Sequence, residues 1–193
     1  MIKYLIGTLY ILWCKILYGK NKKNVPRIAP KAPLYRQIIW FYKNPTQIIN
    51  NLYLGSSFNA YDLELLKKNN IKVILNITHE IDNFYQSNSM LSYYKFPIFD
   101  NNIDDINNIL GATFRIINKH LNKNESILVH CYMGASRSAS VIIHYLMKKY
   151  NLPYVQVLNF VIDKRPIVNL SEKFNSNLRK INILHLCTFK TPN

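Results

Sequence analysis

Hydrophobic and polar positions alternate in two rhythms along the chain. From Pro45 onward, short apolar runs of strand length trade places with stretches in which apolar residues recur every three or four positions. Ile48 to Leu54, closed by Gly55, predicts the first strand, and Asn59 to Lys68, with Leu63 and Leu66 on one face, predicts a short amphipathic helix. Val73 to Ile77 is a continuous apolar run, as a strand buried on both faces requires. Residues 82–91 are polar and loop-like; Tyr93 to Ile98 predicts a third strand, ending at Phe99-Asp100. Ile106, Ile109, Leu110, Thr113 and Ile117 keep helical spacing within 104–121. Ile127-Leu128-Val129 is again strand-like, and Ala139, Ile142, Ile143, Leu146 and Met147 mark one face of a helix over 138–150. Asn151 and Pro153 restart a helix carrying Tyr154, Val157, Leu158 and Val161, which ends at Arg165-Pro166. A last helix carries Phe174, Leu178 and Ile181, with Ser171 as its cap. Apart from an opening strand pair, strands alternate with helices. The pattern predicts an α/β domain with a central, mostly parallel sheet flanked by helices.

Residues 1–45 follow neither rhythm. Tyr4 to Tyr18 is mostly apolar but interrupted by Gly7 and Lys15, and a basic, proline-dotted stretch follows with Lys20, Lys22, Lys23, Arg27, Lys31 and Arg36. The apolar run falls short of the roughly 20 residues of a spanning helix, and Gly19-Lys20 makes a poor signal-peptide cleavage site. The segment suits contact with a membrane surface or packing on protein, and both readings stand. The expected organisation is an extension over 1–45, one domain over 46–187 and a tail over 188–193.

Composition adds little to this and charge somewhat more. Of 193 residues 49% are apolar, enough for a full core, and 18% are charged. The formal charge of +15 favours acidic partners, but the basic residues are spread along the chain, and AT-rich coding explains a Lys and Asn excess equally well. Three cysteines, Cys14, Cys131 and Cys187, form no C-x-x-C pair, and an odd count argues against a disulfide framework. A reducing compartment, the cytoplasm, is the expectation. The five histidines show no paired metal-ligand spacing.

The chemistry concentrates in His130-Cys131-Tyr132-Met133-Gly134-Ala135-Ser136-Arg137-Ser138, between a predicted strand and a predicted helix. Strand, tight loop and helix N-terminus aim backbone N–H groups at an anion. The loop starts with a cysteine and places an arginine six residues later. A thiolate is favoured at a helix N-terminus beside a guanidinium. The same groups bind a phosphate, which the planar fork of Arg137 can grip through two oxygens. Gly134 supplies the backbone freedom of a tight cradle.

This loop resembles the signature of the cysteine-based dual-specificity protein phosphatases. Further blocks extend the resemblance over about residues 46–182: Asn51-Leu-Tyr-Leu-Gly-Ser56, Ile71-Lys-Val-Ile-Leu-Asn-Ile-Thr78, Tyr94-Lys-Phe-Pro-Ile-Phe-Asp100, Tyr145-Leu-Met147 and Lys164-Arg-Pro166. The resemblance implies the cysteine-phosphatase fold and two-step hydrolysis of phosphomonoesters that requires no metal and no organic cofactor. Cys131 is then the nucleophile and Asp100 the general acid. Ser138 assists departure of the thiolate, and His130 orients the loop. Arg137, with Tyr132, Met133, Gly134, Ala135 and Ser136, binds the phosphoryl group. Asp104 and Asp105 compete with Asp100 but fit better as the opening of the next helix. The chain departs from the family at Leu170-Ser171, near the last helix, where Pro-Asn is common. Tyr132, Met133 and Ala135 are uncharged, which disfavours an inositol-lipid substrate. Phosphorylated proteins are the expected partners, and nucleic acid is not. Rival readings are a silent phosphoprotein-binding module and an RNA 5′-phosphatase or phosphoinositide phosphatase on the same fold.

Overall fold

The computed structural model describes residues 33–100 and 104–188, with side chains up to 181. The apolar-basic run of residues 1–32, the subject of the membrane reading, lies outside the described residues, as does the tail beyond 188. Among the described residues no helix is long and apolar enough to cross a membrane.

The sheet has five strands: β1 (Thr46–Ile49), β2 (Leu52–Gly55), β3 (Ile71–Asn76), β4 (Ser92–Lys95) and β5 (Ser126–His130), in the order β1-β2-β5-β3-β4. Only β1 and β2 pair antiparallel; the other three pairings are parallel. The helices are α1 (Leu34–Tyr42), α2 (Ser57–Tyr61), α3 (Leu63–Lys68), α4 (Asn107–Leu121), α5 (Arg137–Tyr150), α6 (Tyr154–Lys164) and α7 (Glu172–Thr188). Each interior strand is apolar because both faces are covered. On one side Leu54, Val73, Leu75, Ile127 and Val129 meet Ile117, Ile142, Leu146, Val161 and Phe174 in the main core. On the other, Ile74 and Leu128 meet Ala60, Leu66 and Ile71 in a smaller one. The predicted mostly parallel α/β sheet is the observed architecture.

Several boundaries differ from the sequence reading, each for a local reason. Ile48 to Leu54, read as one strand, is a hairpin, because Asn51 adopts a left-handed conformation at φ 61° and reverses the chain. The helix read over 59–68 is two helices: Asp62 ends the first and caps the second, its Oδ1 accepting from the N–H groups of Glu64 and Leu65. The helix expected from residue 104 starts at Asn107, behind an Asx turn in which Asp105 Oδ1 accepts from Asn107 N. Ser171 precedes α7 but does not cap it, since its buried hydroxyl has no hydrogen-bond partner among the described residues. Within the segment set apart as 1–45, residues 34–42 form α1, whose C-terminal end packs on the domain through buried Phe41.

Candidate active site

The loop 131–136 joins the C-terminal end of β5, the central strand, to the N-terminus of α5. Its shape follows from where its carbonyls go. Tyr132 O accepts from Ser57 N at 3.1 Å and from Ser57 Oγ at 3.3 Å. Met133 O accepts from Arg165 Nη2 and Gly134 O from Arg165 Nε, at 2.9 and 2.8 Å. Ala135 O accepts from Asn169 N at 2.9 Å. Four consecutive carbonyls are thus taken up by groups outside the loop. Gly134 sits at φ 67°, and a Cβ on it would lie 2.4 Å from Gly55 O, so only glycine lets the loop rest on the end of β2.

Cys131 is buried, and two donors converge on its sulfur: Gly134 N at 3.3 Å and Ser138 Oγ at 3.2 Å. His130 lies behind it, wholly buried, and burial pushes its imidazole down to about 4. It is therefore neutral, and its Nδ1 stands 3.4 Å from the carbonyl of Cys131, which can only accept.

Arg137 is buried in the first turn of α5. Its Nη1 and Nη2 donate to the two carboxylate oxygens of Glu80 at 2.7 and 2.6 Å, and Nη1 also donates to Ile98 O at 2.9 Å. Burial alone would lower the guanidinium's pKa, but the hydrogen bonds of Glu80, with the acidic groups of Cys131, Asp100 and Glu80 around it, outweigh it and hold it above its ordinary value. The same pairing overrides the upward push of burial on Glu80, whose carboxyl lies below its ordinary range. Nε of Arg137 is buried with no partner among the described residues. Glu80 is carried by a turn built on Asn76, which accepts from Thr78 N and Oγ1 and donates to Ile81 O. His79 and Phe99, the neighbours of Glu80 and Asp100, stack at 4.1 Å and join the two loops.

Asp100 reaches the loop: its Oδ1 accepts from Ser136 Oγ at 2.8 Å. Its two competitors are occupied elsewhere. Asp104 Oδ2 accepts from Phe99 N, and Asp105 Oδ1 accepts from Asn177 Nδ2 as well as from Asn107 N. All the residues singled out from the sequence therefore gather around one loop. Two were missed. Glu80 grips the arginine. Arg165, read as a helix end and as part of a family-like block but given no role, is fully buried and holds two loop carbonyls, Thr46 Oγ1 and Trp40 O, with its guanidinium 5.3 Å from the Trp40 ring. Burial lowers its pKa to about 10, which leaves it cationic at neutral pH.

The sequence profile described as dual specificity phosphatase, catalytic domain, matches residues 52–183. The chain belongs to this family. The Drosophila melanogaster protein phosphatase Slingshot is 39% identical over 134 residues, 69% of this chain and 13% of that protein. Human dual specificity protein phosphatase 9 is 37% identical over 131 residues, 68% of this chain and 34% of that protein. The chain thus spans a minor part of the length of either. Human DUSP28 shares the fold at a TM-score of 0.69 and 22% identity, covering 81% of this chain and 98% of that one. The dual-specificity family and cysteine-phosphatase fold expected from the loop signature are those of the chain.

Proposed function

We propose that this chain is a metal-independent protein phosphatase that hydrolyses phosphotyrosine, phosphoserine and phosphothreonine through a cysteinyl-phosphate. One observation carries the reading: Cys131 stands at the start of a loop whose carbonyls of residues 132–135 are all bonded to groups outside it, with Gly134 N and Ser138 Oγ directed at the sulfur. Carbonyls tied outward leave the intervening N–H groups for the three equatorial oxygens of a phosphoryl group, where charge builds up. Arg137 adds a fixed cation and the unbonded Nε.

In the first step Cys131 Sγ attacks phosphorus as the P–O bond to the leaving group breaks, and Asp100 gives its proton to that oxygen. In the second step Asp100, now a carboxylate, takes a proton from water as the water oxygen attacks phosphorus. The P–S bond breaks, and Ser138 Oγ donates to the departing thiolate. Inorganic phosphate and the starting enzyme result. His130, neutral and buried, orients Cys131 through its carbonyl. The mechanism needs a reduced thiol, which fits a reducing compartment such as the cytoplasm.

Support for phosphoprotein substrates comes from the relatives, whose names are those of protein phosphatases, and from the uncharged side chains of Tyr132, Met133 and Ala135. The test is a panel of phosphotyrosine, phosphoserine and phosphothreonine peptides, phosphoinositides and 5′-phosphorylated RNA, with Cys131→Ser as blank. Turnover of phosphopeptides that vanishes in Cys131→Ser is the expected result. Turnover confined to lipid or RNA replaces the substrate class, and phosphopeptide binding without turnover replaces the enzyme by a binding module.

A further inference from the structure

The sequence places Ser136 in the phosphate cradle simply because it lies between Cys131 and Arg137. Its side chain does something else. Ser136 Oγ accepts from Ser171 N at 3.2 Å and donates to Asp100 Oδ1 at 2.8 Å, and the residue is buried. A hydroxyl has one proton. With the Ser171 amide as donor on one side, that proton goes to the carboxylate on the other, so the direction of the second bond is set by the first. Asn169 N, bonded to Ala135 O two residues earlier, holds the same strip of chain against the loop.

Resting on the phosphatase reading above, we infer that Ser136 is a positioning residue for the general acid, fixing which oxygen of Asp100 carries the proton. With Oδ1 engaged as an acceptor, the proton of the acid form resides on Oδ2. The carboxyl is then anchored to the loop that holds the phosphoryl group, one residue from Arg137. The anchor extends to the N-terminus of α7 through the amide of Ser171. That is where the sequence departs from the family's usual Pro-Asn, and a backbone N–H performs the task whatever side chain residue 171 carries.

Loss of an anchor on the acid has a signature that simple damage to the loop lacks. It weakens protonation of the leaving oxygen and spares substrates that scarcely need it. Ser136→Ala and Ser136→Gly remove the hydroxyl, the second without adding or keeping any side-chain volume. The measurement is kcat/KM on p-nitrophenyl phosphate, whose leaving oxygen needs little protonation, and on phenyl phosphate, which needs it. Correctly placed general acids contribute on the order of 10²–10⁴-fold, so partial misplacement should cost about tenfold more on phenyl phosphate than on p-nitrophenyl phosphate. Ser136→Thr, which keeps the hydroxyl, should restore the wild-type ratio. In an Asp100→Asn background, removing the hydroxyl should leave that ratio unchanged, since the group it positions is gone. Equal losses on both substrates, or the same ratio change with and without Asp100, overturn the inference while leaving the phosphatase reading intact. A wild-type protein with no Cys131-dependent turnover of either ester overturns both.

Discussion

Replacing Glu80 tests how much of the site is built by a residue that never touches phosphate. Glu80 and Arg137 form a two-pronged ion pair at 2.6 and 2.7 Å, with side-chain exposures of 12% and 5%. Glu80→Ala leaves the guanidinium charged, because no neutral form is accessible near neutral pH, and strands it in a cavity with Ile98 O as its remaining acceptor. Removing one partner of a buried pair costs about 3–5 kcal/mol; the partial exposure of Glu80 places the expectation at the low end, about 3 kcal/mol. Glu80→Gln keeps one acceptor oxygen and should cost about half as much.

Activity should fall with a distinctive profile. The fork of Arg137 loses the two bonds that orient it, and misplacement of a catalytic group by about 1 Å can cost on the order of 10²-fold. Both variants should lose kcat/KM on p-nitrophenyl phosphate and phenyl phosphate by the same factor, since Arg137 serves the phosphoryl oxygens common to both. Urea unfolding at pH 7, together with kinetics on the two esters, supplies the measurements. The depressed pKa of Glu80 gives the pH sign: its stabilisation is present above the unfolded carboxyl value and is lost as pH falls through the folded one. An Ala variant as stable and as active as wild type would mean that Ile98 O and solvent suffice to hold the guanidinium, and the argument that Glu80 builds the site would fail.

Four further outcomes follow from the geometry. Asp100→Ala should slow phenyl phosphate far more than p-nitrophenyl phosphate, and an equal loss would move the acid role elsewhere. Gly134→Ala should destabilise the domain by about 2 kcal/mol or more, from left-handed strain and from its clash with Gly55 O; an unchanged thermal midpoint would refute it. Burial holds His130 down to about 4, so between that value and its ordinary ~6.5 the unfolded chain binds a proton that the native one does not. Stability therefore falls as pH drops through this window, by about 3 kcal/mol in all, and urea unfolding of His130→Gln at pH 7 and pH 4 should lack that loss. Mild peroxide should inactivate reversibly through Cys131, and mass spectrometry finding oxidation at Cys14 or Cys187 instead would contradict it.

What was legible in the sequence was what depends on neighbours in sequence. The buried runs of β3 and β5 read as strands because each apolar position is buried for the same local reason. The Cys131–Arg137 spacing read as a cradle because a loop and a helix turn fix it. Asp100 was legible only through the resemblance of Tyr94 to Asp100 to the family's acid-bearing block. Other features depended on a single residue overriding a pattern: Asn51 reversing a run of strand formers, Asp62 cutting a helix in two. Helix α1 was hidden by the proline and lysine around it, although Leu34, Ile38, Phe41 and Tyr42 keep helical spacing, a signal that a window starting at Pro33 would have found. Glu80 had no such signal, being one polar residue in a polar turn, and only the fold sets it against an arginine 57 positions away.

Arg165 shows why that division is physical. A loop that presents its N–H groups to an anion must turn its carbonyls the other way, and buried carbonyls without donors cost about 1–3 kcal/mol each. The donors come from chain brought alongside by the sheet and helices: Ser57 from the start of α2, Asn169 from the approach to α7, and Arg165 from the end of α6. An arginine suits the last of these because its planar fork serves Met133 O and Gly134 O together, and it needs no carboxylate partner if carbonyl dipoles surround it. Trp40 O and Thr46 Oγ1 complete that set, which ties α1 and the start of β1 to the catalytic loop. Arg165→Lys keeps the charge but loses the fork, so it should lower activity on both aryl phosphates alike, with a smaller loss of stability than Arg165→Met. If the lysine variant matched wild type in both respects, charge alone would suffice, and the carbonyl-clamp account of the loop's shape would be wrong.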